Sequence, residues 1–118
     1  MTAGEVDYYG VEELLGEEER MIRASVRSFV EREALPVIER HHAEERFPRD
    51  LIPRMAELGV FGANLKGYGC AGLSNVAYGL IMEELEAGDS GLRSMASVQG
   101  SLAMYAIWRW GNEEQKRR

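Results

Sequence analysis

Several groups of residues in this chain have types and spacings that could do chemistry, and each needs surroundings that the rest of the sequence must supply. Gly67-Tyr68-Gly69-Cys70-Ala71-Gly72 fits the G-x-G-x-x-G pattern, in which glycines let the backbone approach a pyrophosphate at a helix N-terminus; Asp89 follows at about the distance of a ribose-binding acid. That chemistry also requires a buried strand before the loop and another after the helix. Here a second helical pattern follows instead, so the loop reads as a flexible connector. Glu39 and His42 make one Glu-x-x-His unit of the kind that builds di-iron centres in helical bundles. Two such units are needed. His41 and His42 are the only histidines, and the residue three before His41 is Ile38, so no metal site is expected. Tyr105, Trp108 and Trp110, with the nearby methionines, could stack on a flat cofactor, but aromatic and Met residues at helical spacing predict core. Asp89 and Arg93 stand at i, i+4, the spacing of a helix-start ion pair that is worth little at a surface. Cys70 is the only cysteine, which forbids an intrachain disulfide; it reads as a small filler in a reducing compartment.

Charge and composition narrow the partners. With 20 acidic residues against 14 basic ones the net charge is −6, and Lys and Arg are scattered among Glu. No basic face remains to track a phosphate backbone, so nucleic acid is excluded as a partner. Hydrophobic residues at 45% and charged residues at 29% describe a globular chain, and 118 residues give one domain, 1–118. The start from Met1 to Tyr9 is acidic and lacks an apolar stretch flanked by Arg or Lys, and no apolar run reaches spanning length. A cytoplasmic location without a membrane span is expected.

The elements that would position these residues are helices. Glu17, Glu18 and Glu19 after Gly16 place negative charge in a first turn, where free amides and the helix dipole favour it. Ile22, Val26, Phe29 and Val30 continue at helical spacing, and Pro36 bends or restarts a segment that runs towards Ala43. Leu51, Ile52, Met55 and Leu58 form a short second stripe, ended by Gly59 as a left-handed cap. Ser74 caps a third helix bearing Ala77, Leu80, Ile81 and Leu85, with Glu83, Glu84 and Glu86 crowding its end. From Leu92 to Trp110 the residues are apolar nearly all round, which predicts a helix buried at the centre of the domain. Asn112-Glu113-Glu114-Gln115 has the form of a capping box and opens a helix of which only Lys116, Arg117 and Arg118 remain. The chain is therefore expected to be a fragment of a longer protein. The fold class is all-α, a helical bundle.

Residues 84–102 read Glu-Leu-Glu-Ala-Gly-Asp-Ser-Gly-Leu-Arg-Ser-Met-Ala-Ser-Val-Gln-Gly-Ser-Leu, and Trp110-Gly111-Asn112-Glu113-Glu114-Gln115-Lys116 follows near the end. Together with Met55-Ala56-Glu57-Leu58-Gly59-Val60-Phe61-Gly62, the loop Tyr68 to Ser74 and the helix opening Ala77-Tyr78-Gly79-Leu80, this resembles the acyl-CoA dehydrogenases, in their glutaryl-CoA branch. The most specific part is Asp89-Ser90-Gly91-Leu92-Arg93-Ser94, and the resemblance runs from Tyr9 onward. One departure is Asn64-Leu65-Lys66-Gly67, which lacks the Pro-Glu often found there.

The resemblance implies an N-terminal helical domain whose middle β and C-terminal helical domains are not in this chain. FAD and an acyl-CoA thioester would lie between the three. The family's flavin-contacting Thr-Glu-Pro stretch and its catalytic Glu match no residue here, so this chain is expected to hold no catalytic residue. In the family the α-proton leaves to that Glu while the β-hydride passes to the flavin, and electron transfer flavoprotein reoxidises it; the glutaryl branch also decarboxylates. The family forms homo-oligomers, commonly tetramers. This domain would shape the acyl end of the pocket through three substrate-binding residues: Arg93 for a distal carboxylate, Ser97 one turn on, and Glu86 to hold the guanidinium and offset its charge. A buried carboxylate without a partner is costly, and Arg offers a planar fork for both oxygens. Two alternatives stand beside this: an acyl-CoA dehydrogenase for another short acyl-CoA, or a non-catalytic helical interaction module. As an isolated piece the chain is expected to expose apolar surface and self-associate.

Overall fold

The computed structural model describes residues 6–118, so the first five residues of the acidic start lie outside the described residues. Asp7 accepts hydrogen bonds from the amides of Val11 (2.9 Å) and Glu12 (2.8 Å) and thereby closes a 3-10 turn, Val11–Leu14, that the apolar pattern did not announce. Helix α1, Glu17–Phe29, begins where the three glutamates predict, and the Glu19 carboxylate accepts the Gly16 amide proton at 2.9 Å.

The expected break at Pro36 takes a different form. The chain widens upstream into a π turn, Val30–Ala34, in which the Leu35 amide reaches back five residues to the Val30 carbonyl, and then continues as α2, Leu35–Ala43. Pro36 has no N–H to donate, and in a regular helix its ring would crowd the Arg32 carbonyl. The wider turn relieves both conflicts without ending the helix.

Helix α3, Leu51–Glu57, tolerates Pro53 because first-turn amides need no intrahelical partner. It closes as predicted. Gly59 adopts φ 73°, its amide bonds to Ala56 O at 3.0 Å, and the Val60 amide bonds to Met55 O at 3.3 Å, while Val60 and Met55 are both fully buried. These are the paired bonds and apolar clasp of a left-handed helix stop. Helix α4, Asn75–Gly88, starts at Ser74, whose Oγ accepts the Ala77 amide proton at 3.1 Å. Helix α5, Ser90–Ser97, runs into a second π segment, Val98–Met104, and then α6, Tyr105–Trp110. In α7, Glu113–Arg117, the capping box forms with both bonds at 2.9 Å, Asn112 N–H to Gln115 Oε1 and Gln115 N–H to Asn112 Oδ1. Among the described residues there is no strand, and no helix is long and apolar enough to cross a membrane.

The core lies where α1 and its π turn pack on α4 and the first half of α5. Val26, Phe29, Ile81, Leu85, Leu92 and Ala96 meet there almost without water contact. A Cβ at Gly88 would stand 2.5 Å from Val30 Cγ1, so only bare backbone lets the end of α4 approach the π turn this closely. Arg27 crosses from α1 to meet Glu84 of α4, with Nε to Oε2 at 3.0 Å and Nη2 to Oε1 at 2.5 Å. Glu84 is only 2% exposed, and both carboxylate oxygens are occupied, as a buried charge requires.

The stretch from Leu92 to Trp110 corrects the expectation of a buried centre. Leu92, Ala96 and Gly100 are buried, but Val98 is already exposed, Leu102 is 69% exposed and Trp110 73%, with Tyr105 and Ile107 also open to solvent. The aromatic residues are consequently not core. Tyr105 packs edge-on to Trp110 at 6.0 Å, and Trp108 Nε1–H donates to the Lys66 carbonyl at 2.9 Å. All-round apolarity says that every face suits burial; it does not supply the surface that covers it. The chain is a slab of 46 × 40 × 19 Å, about two helix layers thick, with 8094 Å² of accessible surface against roughly 6,500 Å² for a compact monomer of its mass.

Candidate functional site

Asp89 is the pivot of the sequence-predicted site. Its backbone is extended, its amide ends α4 by bonding to Leu85 O at 2.8 Å, and its Oδ2 opens α5 by accepting the Leu92 amide proton at 2.9 Å. This brings the last turn of α4 against the first turn of α5. The Asp89–Arg93 ion pair allowed by spacing does not form, because Asp89 commits its carboxylate to the cap and Arg93 turns to Glu86.

The three residues expected to contact substrate are brought together. Arg93 Nε donates to Glu86 Oε2 at 2.5 Å, and Nη1 donates to Ser97 Oγ at 3.3 Å; Ser97 Oγ in turn donates to the Ser94 carbonyl at 3.1 Å. The other Glu86 oxygen, Oε1, accepts from Ser90 Oγ at 2.5 Å. Arg93 therefore has two of its donors committed and three left, two on Nη2 and one on Nη1. Those three suffice for a two-pronged grip on a carboxylate. Arg93 and Glu86 are 37% and 46% exposed, so the group is open to an approaching ligand. The Arg93 guanidinium first, and the Ser90 hydroxyl second, hold the Glu86 carboxyl below the usual carboxylate range. Glu86 is thus ionised at neutral pH and offsets the charge of Arg93.

The other candidate motifs come to rest without a site. Tyr68 and its glycine neighbours adopt left-handed conformations, no strand precedes them among the described residues, and Ser74 Oγ takes the Ala77 amide of the helix that follows. The departure at Asn64–Gly67 is accommodated by burying Leu65 in a turn closed to Gly62 O at 2.9 Å, while Asn64 Nδ2 donates to Asn75 Oδ1 at 3.0 Å. Glu39 and His42 gain no third ligand, since among the described residues no group of three His, Cys, Asp or Glu gathers. His41 Nδ1 lies 2.8 Å from the Val37 carbonyl, which accepts its proton.

Two residues escaped the sequence reading. Ser90 stood within the Asp89–Ser94 stretch that carries the resemblance but without a role of its own, and Glu84 was grouped with the charged end of α4. The signal for Glu84 was present: it lies three residues after Ile81 and seven after Ala77, on the buried stripe, and α1 carries three arginines, Arg20, Arg23 and Arg27, at helical spacing.

Residues 16–118 match the family model described as acyl-CoA dehydrogenase, N-terminal domain. A short-chain specific acyl-CoA dehydrogenase of Bos taurus mitochondria is 36% identical over 110 residues, 92% of this chain and 26% of that protein. A 3-(aryl)acrylate reductase of Clostridium sporogenes is 34% identical over 85% of this chain and 27% of its own length. Among solved structures, a glutaryl-CoA dehydrogenase from Mycobacterium smegmatis in complex with FADH2 superposes with a TM-score of 0.89 at 49% identity, covering 92% of this chain and 28% of that one. A second glutaryl-CoA dehydrogenase structure from the same organism gives 0.86 at 56% identity, covering 91% and 28%. The chain thus spans about a quarter of the length of the relatives it matches. On this match, and on a helical fold shared at about half identity, the chain belongs to the acyl-CoA dehydrogenase family, as an N-terminal domain.

Proposed function

We propose that this domain forms the acyl end of the substrate pocket in an FAD-dependent acyl-CoA dehydrogenase that oxidises glutaryl-CoA or a similarly short dicarboxyl thioester. The observation that carries the reading is Arg93, held by Glu86 and Ser97 with three donors unspent. A dicarboxyl substrate brings a second negative charge to the far end of a pocket otherwise suited to an alkyl chain, and that charge needs a cation with donors to spare. A plain fatty acyl chain would leave those donors unsatisfied. The glutaryl-CoA dehydrogenases among the structural relatives support the same assignment.

FAD would supply the two-electron acceptor for such an oxidation. The resemblance to the acyl-CoA dehydrogenases assigns the flavin mainly to the rest of the protein, and with it the base that removes the α-proton. The role of this domain is to bind and orient the distal carboxylate and, through the apolar face from Leu102 to Trp110, to pack against the remaining domains. Electron transfer flavoprotein as oxidant, a homo-oligomeric and commonly tetrameric assembly and a cytoplasmic setting complete the reading.

A second reading keeps the family and changes the substrate, favoured by relatives named as short-chain specific enzymes at up to 36% identity. One experiment separates the two. In the complete enzyme, Arg93→Met lowers kcat/KM for glutaryl-CoA by about a hundredfold, the worth of one or two charge-assisted bonds, and that for butyryl-CoA by less than about threefold. Equal losses on both substrates overturn carboxylate recognition.

A further inference from the structure

Ser90 is the first residue of α5, exposed, and not among the residues expected to touch substrate. Its hydroxyl nevertheless donates to Glu86 Oε1 at 2.5 Å, across the junction between α4 and α5. A glutamate side chain on the last turn of a helix has three soft torsions, and one hydrogen bond through a single oxygen leaves the carboxylate free to swing about it. With Oε1 tied to Ser90 and Oε2 to Arg93 Nε, the carboxylate plane is fixed at both ends. Ser97 then secures the guanidinium from the opposite side through Nη1.

We propose that Ser90 is a positioning residue for recognition of the distal carboxylate: by holding Glu86 it fixes the plane of the Arg93 guanidinium and so keeps its free fork aimed at the substrate. The proposal rests on the reading of Arg93 given above. Without Ser90, Glu86 gains rotamers, and one of them lets it chelate the guanidinium through both oxygens. That rotamer occupies donors that a substrate carboxylate needs. Ser90 therefore acts on affinity for the charged end of the substrate and leaves the reacting carbons alone. The depression of the Glu86 pKa by both Arg93 and Ser90 agrees with a carboxylate held ionised between two donors.

The test uses the complete enzyme with Ser90→Ala, Ser90→Thr and Arg93→Met, assayed on glutaryl-CoA and butyryl-CoA. Ser90→Ala raises KM for glutaryl-CoA by about five- to tenfold with kcat within about twofold, and the effect on butyryl-CoA is several times smaller. Ser90→Thr keeps the hydroxyl and restores KM to within about twofold. A purely structural role at the start of α5 would instead lower thermal stability and disturb both substrates alike, and that result overturns the proposal. So does an unchanged KM for glutaryl-CoA in Ser90→Ala, or a failure of Ser90→Thr to restore it. The two layers fail separately. If Arg93→Met is selective for glutaryl-CoA while Ser90→Ala is not, only the role of Ser90 falls; if Arg93→Met affects both substrates equally, carboxylate recognition falls and the role of Ser90 with it.

Discussion

Where α1 packs on α4, Val26, Phe29, Ile81 and Leu85 exclude water, and even a glutamate is buried because an arginine comes from the facing helix to meet it. Along the second π segment and α6, residues of the same chemistry stand in solvent: Leu102, Tyr105, Ile107 and Trp110. The two regions differ less in composition than in company. The first has a partner within the chain whose glycine permits close approach and whose charge is complementary. The second has apolar surface with nothing among the described residues to cover it. Apolar patterning thus states a demand for burial, and tertiary structure decides whether the same chain meets it.

Substitutions can break this contrast in order of size. Leu85→Ala empties a fully buried site between α4 and its neighbours and lowers stability by about 3–4 kcal/mol, measured by urea unfolding of the chain. A loss below about 1 kcal/mol would mean that the α1–α4 region is not the core. Arg27→Met strands the Glu84 carboxylate in an apolar setting and costs about 2–3 kcal/mol, the lower side of the usual range for a broken buried pair because the Arg27 side chain is 29% exposed. Double-mutant cycles with Glu84→Leu should recover much of that loss, since removing both charges removes the stranded one. Smallest is Leu102→Ser, which changes unfolding of the chain by less than about 0.5 kcal/mol and reduces its self-association in sedimentation. In the complete enzyme the same change costs roughly 1–2 kcal/mol if the face is covered there, so the difference between the two measurements reads the covering directly.

What the sequence displayed was the local part of the structure. The acid of Glu17 to Glu19, the Ser74 cap, the stop at Gly59 and the reciprocal bonds of Asn112 and Gln115 are all satisfied within one helical turn, so neighbouring letters suffice to see them. The π turn at Val30–Ala34 was hidden because its extra residue reconciles Pro36 with the approach of Gly88, a residue far along the chain. Burial of Leu92 to Trp110 was misjudged for the reason given by the contrast above. The site fell between these cases. Arg93 and Ser97 are one turn apart, but Glu86 lies seven residues before Arg93 across a helix break, where periodicity has no prediction to make; the resemblance to known dehydrogenases pointed to it. Ser90 and Glu84 were missed because each acts through a partner on another element.

Asp89 gives the molecule a corner with no spare length. One residue ends α4 and begins α5, so the separation of Glu86 and Arg93 is set by counting residues and cannot be absorbed by a loop. Adding a single residue at this corner would turn α5 by about 100° about its own axis, carrying the guanidinium away from the carboxylate while Leu92 and Ala96 leave the core together. Recognition and packing are written in the same register there, and length variation in this domain should be confined to segments such as Lys66–Gly72, where extra chain displaces neither.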